Sequence, residues 1–277
     1  MNLDSPIDSL TVKVIIDDVG KLSAPRLSRP SFEVDENDFF LDVRNIARYR
    51  VQNGNKVFIN PHENADIASI KLFLNGSVLG AALHQQGILP FHGSSFEYEG
   101  KGVIVCGHSG VGKSSVMVAF CQNGGNFIND DITPVRITGS ATFITPIKTG
   151  IKLWDDSLRK LNIEKNGLEK IRPALEKFYL TEREIFSEEQ RLDHLFILGT
   201  HQKEEFIVNE LTGMGKYDVL RKQIYRRVYL KGMPATEKSY FKQLLLLAAR
   251  VRVTKILRPE LCDIYETMAN IQNEILR

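Results

Sequence analysis

The chain has 277 residues, of which 43% are hydrophobic and 25% charged, the proportions of a globular protein with enough apolar side chain to bury a core; disorder as the dominant state is excluded. Basic side chains number 36 and acidic ones 34, a net charge of +2, so no overall field favours nucleic acid or an anionic membrane. Cys106, Cys121 and Cys262 are odd in number and contain no C-x-x-C pair, which reads as reduced thiols of a cytoplasmic protein. The first residues carry acids and no basic n-region, so no secretory signal is expected. Uninterrupted apolar runs of about six residues fall short of the roughly 20 that span a bilayer.

The first sixty residues read as short strands. Thr11–Ile16 and Phe39–Val43 are rich in β-branched and aromatic residues. Arg48–Val51 and Lys56–Ile59 alternate around Asn53-Gly54, a hairpin signal. Pro25 and Pro30, among serines, predict a loop. From Asn64 to Gln86 the apolar period turns helical, through Ile67, Ile70, Leu74, Val78 and Leu79, with Gly76 and Gly80 weakening an unbroken helix. A strand over Ile88–Glu97, a Glu99-Gly100 turn and a strand over Gly102–Cys106 follow. Next come a glycine-rich loop, an apolar helix to about Gln122, and a strand opened by Phe127-Ile128. Further on, Leu195–Leu198, Phe206–Val208 and Val251–Leu257 read as strands, and Lys216–Tyr229 and Glu237–Ala249 as helices. Pro259 is expected to open a final helix. The whole predicts α/β layering, with a β-rich N-terminal lobe over 1–87 and a catalytic domain over 88–277.

Gly107-His108-Ser109-Gly110-Val111-Gly112-Lys113-Ser114 fits G-x-x-x-x-G-K-[ST]. Its glycines let backbone N–H groups line a phosphate, Lys113 brings a mobile charge to the β and γ oxygens, and Ser114 is placed to ligate Mg²⁺. Val103-Ile104-Val105 before it is a buried-strand pattern, and the apolar helix after it, through Val116-Met117-Val118-Ala119-Phe120, adds the positive end of its dipole. Seventeen positions after Lys113 stands Asp130 (130 − 113), followed by Asp131, at the end of the Phe127-Ile128 strand. A nucleotide site needs a carboxylate there to orient the metal or its water. His92, in Pro90-Phe91-His92-Gly93-Ser94, falls on the strand expected to pair with the one feeding the loop.

His92-Gly93, the turn, Gly102–Val105, the loop from Gly107 to Ser115 and Asp130-Asp131 together resemble the catalytic core of HPr kinase/phosphorylase and its wider kinase family, a fold related to phosphoenolpyruvate carboxykinase. The resemblance covers about residues 88–135. It implies a P-loop kinase that transfers the γ-phosphate of ATP or GTP, with Mg²⁺, to a serine hydroxyl. By the same resemblance Asp130 is the base, His92 supports it, and Asp131 lies nearer the metal. Bifunctional members carry Glu-x-Arg-Gly-x-Gly after the acid pair. Here that region reads Thr145-Pro146-Ile147-Lys148-Thr149-Gly150-Ile151-Lys152, which gives no support to a reverse phosphorylase activity. The layout is closer to divergent peptide-modifying relatives such as lasso peptide kinases, so the implied acceptor is a peptide or small protein.

A nucleotide switch without transfer, or a kinase of a small hydroxylated metabolite, would share the loop. Neither a nucleic-acid nor a membrane partner is expected; a homo-oligomer is compatible with the sequence. Lys148 and Lys152 are candidate phosphate cations, although an ordinary lysine is solvated surface. Arg221, Lys222, Arg226 and Arg227 fall on one expected helix face, with the same ordinary reading. Trp154 is expected in the core. His84, His108, His194 and His201 have no metal-ligand spacing.

Overall fold

Period-two alternation in the first third of the chain produces an antiparallel ladder in the computed structural model, which describes residues 10, 12–147, 150–172, 175–180 and 188–277. Strands β1 (Lys13–Ile16), β2 (Leu27–Arg29), β3 (Phe32–Asp35), β4 (Asp38–Val43), β5 (Ala47–Gln52) and β6 (Lys56–Pro61) form one sheet in the order β1-β6-β5-β4-β3-β2. Only β1 and β6 run parallel. The β5–β6 turn is the expected Asn53-Gly54 pair, both at positive φ (52° and 66°), as the twist of a two-residue hairpin demands. The proline-flanked segment expected as loop instead contains the β2–β3 hairpin. Pro25 and Pro30 sit just outside its strands, where no ladder N–H is lost.

A helical run covers the apolar side of this sheet. It consists of α1 (Ile67–Phe73), a π-helical turn (Leu74–Val78) and α2 (Leu79–Gln85). Asp66 caps α1 by accepting from the Ser69 N–H at 2.7 Å. Ile67–Gln85 is long and apolar enough to cross a membrane by length and composition, but 67% of that stretch is buried within the protein. With residues 224–243, these elements up to Pro90 make one compact unit. The sequence reading assigned 224–243 to the second domain. They belong here because Tyr229 packs edge-on against Phe32 and tilted against Phe39, with ring centroids 5.2 and 4.7 Å apart, and Tyr240 bonds the buried His84 at 3.2 Å.

The second unit comprises residues 91–146, 150–223 and 244–277. Its elements are β7 (Leu89–Tyr98), β8 (Lys101–Cys106), α3 (Lys113–Gln122), β9 (Asn126–Asn129), β10 (Ile132–Ile137), β11 (Thr142–Ile144), β12 (Ile151–Trp154), α4 (Asp155–Lys160), β13 (Lys177–Leu180), β14 (Gln190–His201), β15 (Ile207–Glu210), α5 (Gly213–Lys222), α6 (Pro234–Arg250), β16 (Arg252–Pro259) and α7 (Ile264–Leu276); α6 begins in the first unit. The main sheet runs β11-β10-β7-β8-β14-β16-β15, with β9 beside β7. The pairs β8–β14 and β14–β16 are parallel. Strand β14 also pairs with β11, closing a ring of five strands. The result is a mixed α/β protein with several sheets. Ser115–Cys121 of α3 are buried without a break, and such a helix is fixed by packing on all sides. Phe120 stacks on Phe96 at 4.5 Å and α7 covers it. Each fully buried large apolar side chain contributes about 1.5–3 kcal/mol.

Three expectations need correction here. The helix expected over Lys216–Tyr229 stops at Lys222; Arg226 takes the left-handed conformation (φ 49°) and a 3₁₀ turn (Arg227–Gly232) follows. Arg221 and Lys222 are therefore not on one face with Arg226 and Arg227. Pro259 ends β16, and α7 starts after Asp263, whose capping box with Glu266 satisfies the first N–H groups. Trp154 is 42% exposed rather than in the core.

Candidate active site

The pairing of β7 with β8 sets Gly93 opposite Cys106, which brings His92 beside the start of the Gly107–Ser114 loop. The loop turns on Gly107, Gly110 and Gly112, at φ of 146°, 81° and 104°. A Cβ on Gly107 would run into the Leu198 carbonyl oxygen, so both conformation and space require glycine there. Residues His108, Ser109 and Gly110 are exposed, whereas Val111, Lys113 and Ser115 are buried. The Lys113 ammonium folds back over the loop and donates to the His108 carbonyl at 3.1 Å. Arg258 braces the outer side by donating to the Val111 carbonyl at 3.2 Å.

Strand β9 delivers the acid pair. Asp130 is 1% exposed. Its Oδ1 accepts from the hydroxyls of Ser94 (2.7 Å) and Ser114 (2.8 Å), and its Oδ2 from the Lys152 N–H (2.9 Å). Asp131 occupies the centre of a γ-turn: its φ is 71°, and the Ile132 N–H donates to the Asp130 carbonyl at 2.9 Å. That conformation is costly for a non-glycine residue, and such strain collects at functional sites. It turns the Asp131 side chain, 32% exposed, toward His92 Nδ1 at 3.4 Å and Lys152 Nζ at 3.3 Å. His92 Nδ1 also lies 3.0 Å from the Asp131 carbonyl oxygen.

Burial alone would raise the Asp131 carboxyl; Lys152, His92 and Lys177 outweigh it and hold the group below the usual carboxylate range. Burial and the neighbouring Lys113 push His92 below the ordinary histidine value, so its ring is neutral at neutral pH. Burial also lowers the Lys113 ammonium. These groups line a cavity of about 80 Å³. A second cleft of about 420 Å³ lies along the other side of the loop, sharing Gly110, Gly112 and Ser115, with Arg258 and the fully exposed Leu261 on its wall.

The structure thus brings together His92, Lys113, Ser114, Asp130 and Asp131. Lys148 lies outside the described residues. Arg226 lies in the first unit and is not among the residues of this cavity. Sequence reasoning underweighted Lys152, which is 6% exposed rather than solvated, and missed Ser94 and Lys177. No local signal marked Lys152, since apolar-lysine-apolar in a strand is the ordinary alternation that leaves the lysine on the opposite face. Lys177 lies 5.5 Å from the Trp154 ring centroid, at the cavity mouth.

No family model matches the chain, and no curated protein matches it. Among solved structures, one match is the structure of the Hpr(Ser) kinase/phosphatase from Coxiella burnetii. It is 11% identical with a TM-score of 0.35, over 68% of this chain and 96% of that one.

Proposed function

We propose that the second unit is a nucleotide-dependent phosphotransferase of the HPr kinase-like kind, moving the γ-phosphate of ATP or GTP to a serine hydroxyl of a peptide or small protein. The observation that carries the reading is the acid pair split by the γ-turn. One carboxylate is bound to the loop serine; the other is turned into a small cavity beside Lys113, Lys152 and His92.

The loop amides and Lys113 bind the β- and γ-phosphates, for which Lys113 must leave the His108 carbonyl. The 420 Å³ cleft that continues from the loop has room for the nucleoside. Ser114 Oγ and Asp130 Oδ1 are adjacent hard oxygen donors, a set that fits Mg²⁺ completed by phosphate and water. Bound there, the ion would neutralise charge on the terminal phosphates.

The geometry favours exchanging the two roles implied by the family resemblance. Every oxygen of the buried Asp130 carboxylate already accepts a hydrogen bond, two of them from serines, so it belongs with the metal. Asp131 is the half-exposed carboxylate, and it takes the proton of the incoming hydroxyl. His92, neutral, orients it. Lys152 keeps Asp131 ionised and stands ready to share charge with the transferring group. Little basicity is asked of Asp131, because phosphoryl transfer depends on positioning and charge neutralisation more than on a strong nucleophile.

The test is incubation of the purified chain with labelled ATP or GTP, Mg²⁺ and serine-containing peptides, with products resolved by mass. A phosphoserine product is expected. Nucleotide bound tightly without turnover would make the protein a switch, and phosphate found only on a small metabolite would replace the acceptor class.

A further inference from the structure

Around the small cavity of the second unit, lysines 113, 152 and 177 face the carboxylates of Asp130 and Asp131, and Lys177 has no part in the chemistry above. Lys113 is engaged with the His108 carbonyl and Lys152 with Asp131. Lys177 comes from β13, which carries neither the glycine loop nor the acid pair. The register of the β12–β13 pair sets Lys177 opposite Trp154 and Tyr179 opposite Lys152, and side chains opposite each other in a ladder share a face. One face of the pair therefore turns Ile151, Leu153 and Phe178 into the core, while the other brings Lys152, Trp154 and Lys177 to the cavity. There the Lys177 ammonium lies 5.5 Å from the centroid of the Trp154 ring, which is itself 42% exposed. The charge of Lys177 reaches both Lys113 and Asp131.

We propose that Lys177 is a further catalytic residue, a cation that leaves the Trp154 ring when a nucleoside triphosphate enters and binds the γ-phosphoryl oxygens during transfer. The proposal rests on the phosphotransferase reading above. A cation over a partly exposed ring is held weakly, and a phosphate oxygen offers the same ammonium a charge-assisted hydrogen bond, so the exchange runs toward phosphate. In the transfer, the bond between the γ-phosphorus and the β–γ bridging oxygen breaks, and that oxygen leaves with the electron pair on the nucleoside diphosphate. The serine oxygen bonds to the phosphorus and its proton passes to Asp131. Charge meanwhile spreads over the oxygens of the transferring group. Lys113 is shared with the β-phosphate and Lys152 is tied to Asp131, which leaves Lys177 to give its charge to that group; it stays protonated throughout. A nucleoside diphosphate lacks the group that draws Lys177 off the ring. Trp154 is the one tryptophan of the chain, so its fluorescence reports the departure.

The experiment follows the tryptophan fluorescence of the full chain, with Mg²⁺, during titration with the β,γ-imido analogue of ATP or GTP and with the matching diphosphate. Transfer from the triphosphate to a serine peptide is measured beside it. The analogue should change the emission more than the diphosphate does. Lys177→Gln should lose that difference and lower kcat by about 10²–10³-fold, as does the loss of one aimed electrostatic donor, with diphosphate affinity unchanged. Lys177→Arg keeps the charge and should restore most of both. Wild type that binds neither nucleotide removes the phosphotransferase reading and this inference with it. Wild type that binds both without transfer removes the kinase reading alone: loss of the fluorescence difference in Lys177→Gln would still support Lys177 as a γ-phosphate contact, and its retention would overturn that. Transfer by Lys177→Gln at the wild-type rate overturns the proposal. So does loss of all nucleotide binding in Lys177→Gln and Lys177→Arg alike, which would make the residue structural.

Discussion

The glycine-loop cavity and the cleft of about 860 Å³ in the first unit are built in opposite ways. The cavity draws most of its chemistry from two short stretches, 107–115 and 130–131, held by a buried helix and the end of a strand. The cleft is larger, yet it is assembled from five separated segments, around residues 31, 43, 62, 75 and 228, none with a motif. The cavity is lined by charged side chains that bond one another, whereas the cleft has an apolar lining with Phe32, Leu41, Phe73 and Tyr229. The difference teaches that size alone does not mark a candidate site: the smaller space holds the buried lysines and the carboxylate pair.

The sharpest way to break this contrast is to remove each acid. Asp131→Asn at saturating Mg²⁺ should lower the transfer rate by about 10²–10⁴-fold, the range of general-base assistance, with nucleotide affinity little changed. Asp130→Asn should instead raise the Mg²⁺ concentration needed for half-maximal rate. If Asp130→Asn loses rate at every Mg²⁺ concentration while Asp131→Asn transfers normally, the roles implied by the family resemblance stand and the exchange is wrong. Next in size is Lys113→Ala, expected to cost about 10²–10³-fold in rate, as does the loss of one aimed electrostatic donor, and to weaken triphosphate binding. Wild-type turnover in that variant would dissolve the cavity's claim to be the site.

How much of this was legible beforehand follows from how each region is encoded. The loop, the acid pair and His92 could be read because each is local, and the strand-turn-strand before the loop fixes their approach. Glu99 and Gly100 at φ of 50° and 74° make the turn that the sequence announces. Ser94 could not be read, since its bond to Asp130 depends on β9 lying against β7, a pairing across 36 positions. The β12–β13 pair was invisible for a related reason: its partners, residues 151–154 and 177–180, are far apart in the chain. The helix expected to reach Tyr229 failed where tertiary packing overrides periodicity. Tyr229 is buried against Phe32 and Phe39 of the first unit, and a continuous helix would not leave Arg226 left-handed.

Acid separates the units by another route. Each contains a buried neutral histidine. His84 in the first is lowered to about 4 by burial, and His194 in the second to about 3. The unfolded chain takes up a proton at each near the ordinary value of about 6.5, so between that pH and the folded value the unfolded state binds more protons. Stability is therefore full above the unfolded value and falls as pH drops toward the folded one. For His84 the loss is about 3 kcal/mol by pH 4, from a shift of about 2.5 units. Urea unfolding between pH 7 and 4 should show it, and His84→Gln, which cannot titrate, should flatten the first unit's share. A profile identical to that of wild type would mean that His84 is not what the acid attacks.

The smallest expected effect compares one buried hydroxyl in each region. Tyr49 of the first unit donates its hydroxyl to the Ile70 carbonyl at 3.0 Å, between two neutral groups, and Tyr49→Phe keeps the buried ring. The cost should be about 1 kcal/mol, the usual net worth of a neutral intramolecular hydrogen bond. Ser94→Ala removes a donor from the Asp130 carboxylate, which leaves a buried charge with one partner fewer; hydrogen bonds to charged groups are worth about 1.5–3 kcal/mol. Thermal unfolding of the two variants should therefore rank Ser94→Ala as the more damaging. It should also raise the Mg²⁺ requirement, because Ser94 holds the carboxylate that Ser114 shares, whereas Tyr49→Phe leaves the metal dependence where it was. Equal destabilisation with an unchanged Mg²⁺ requirement would mean that Ser94 only fills space, and that the polar order around Asp130 is no stricter than that of the first unit.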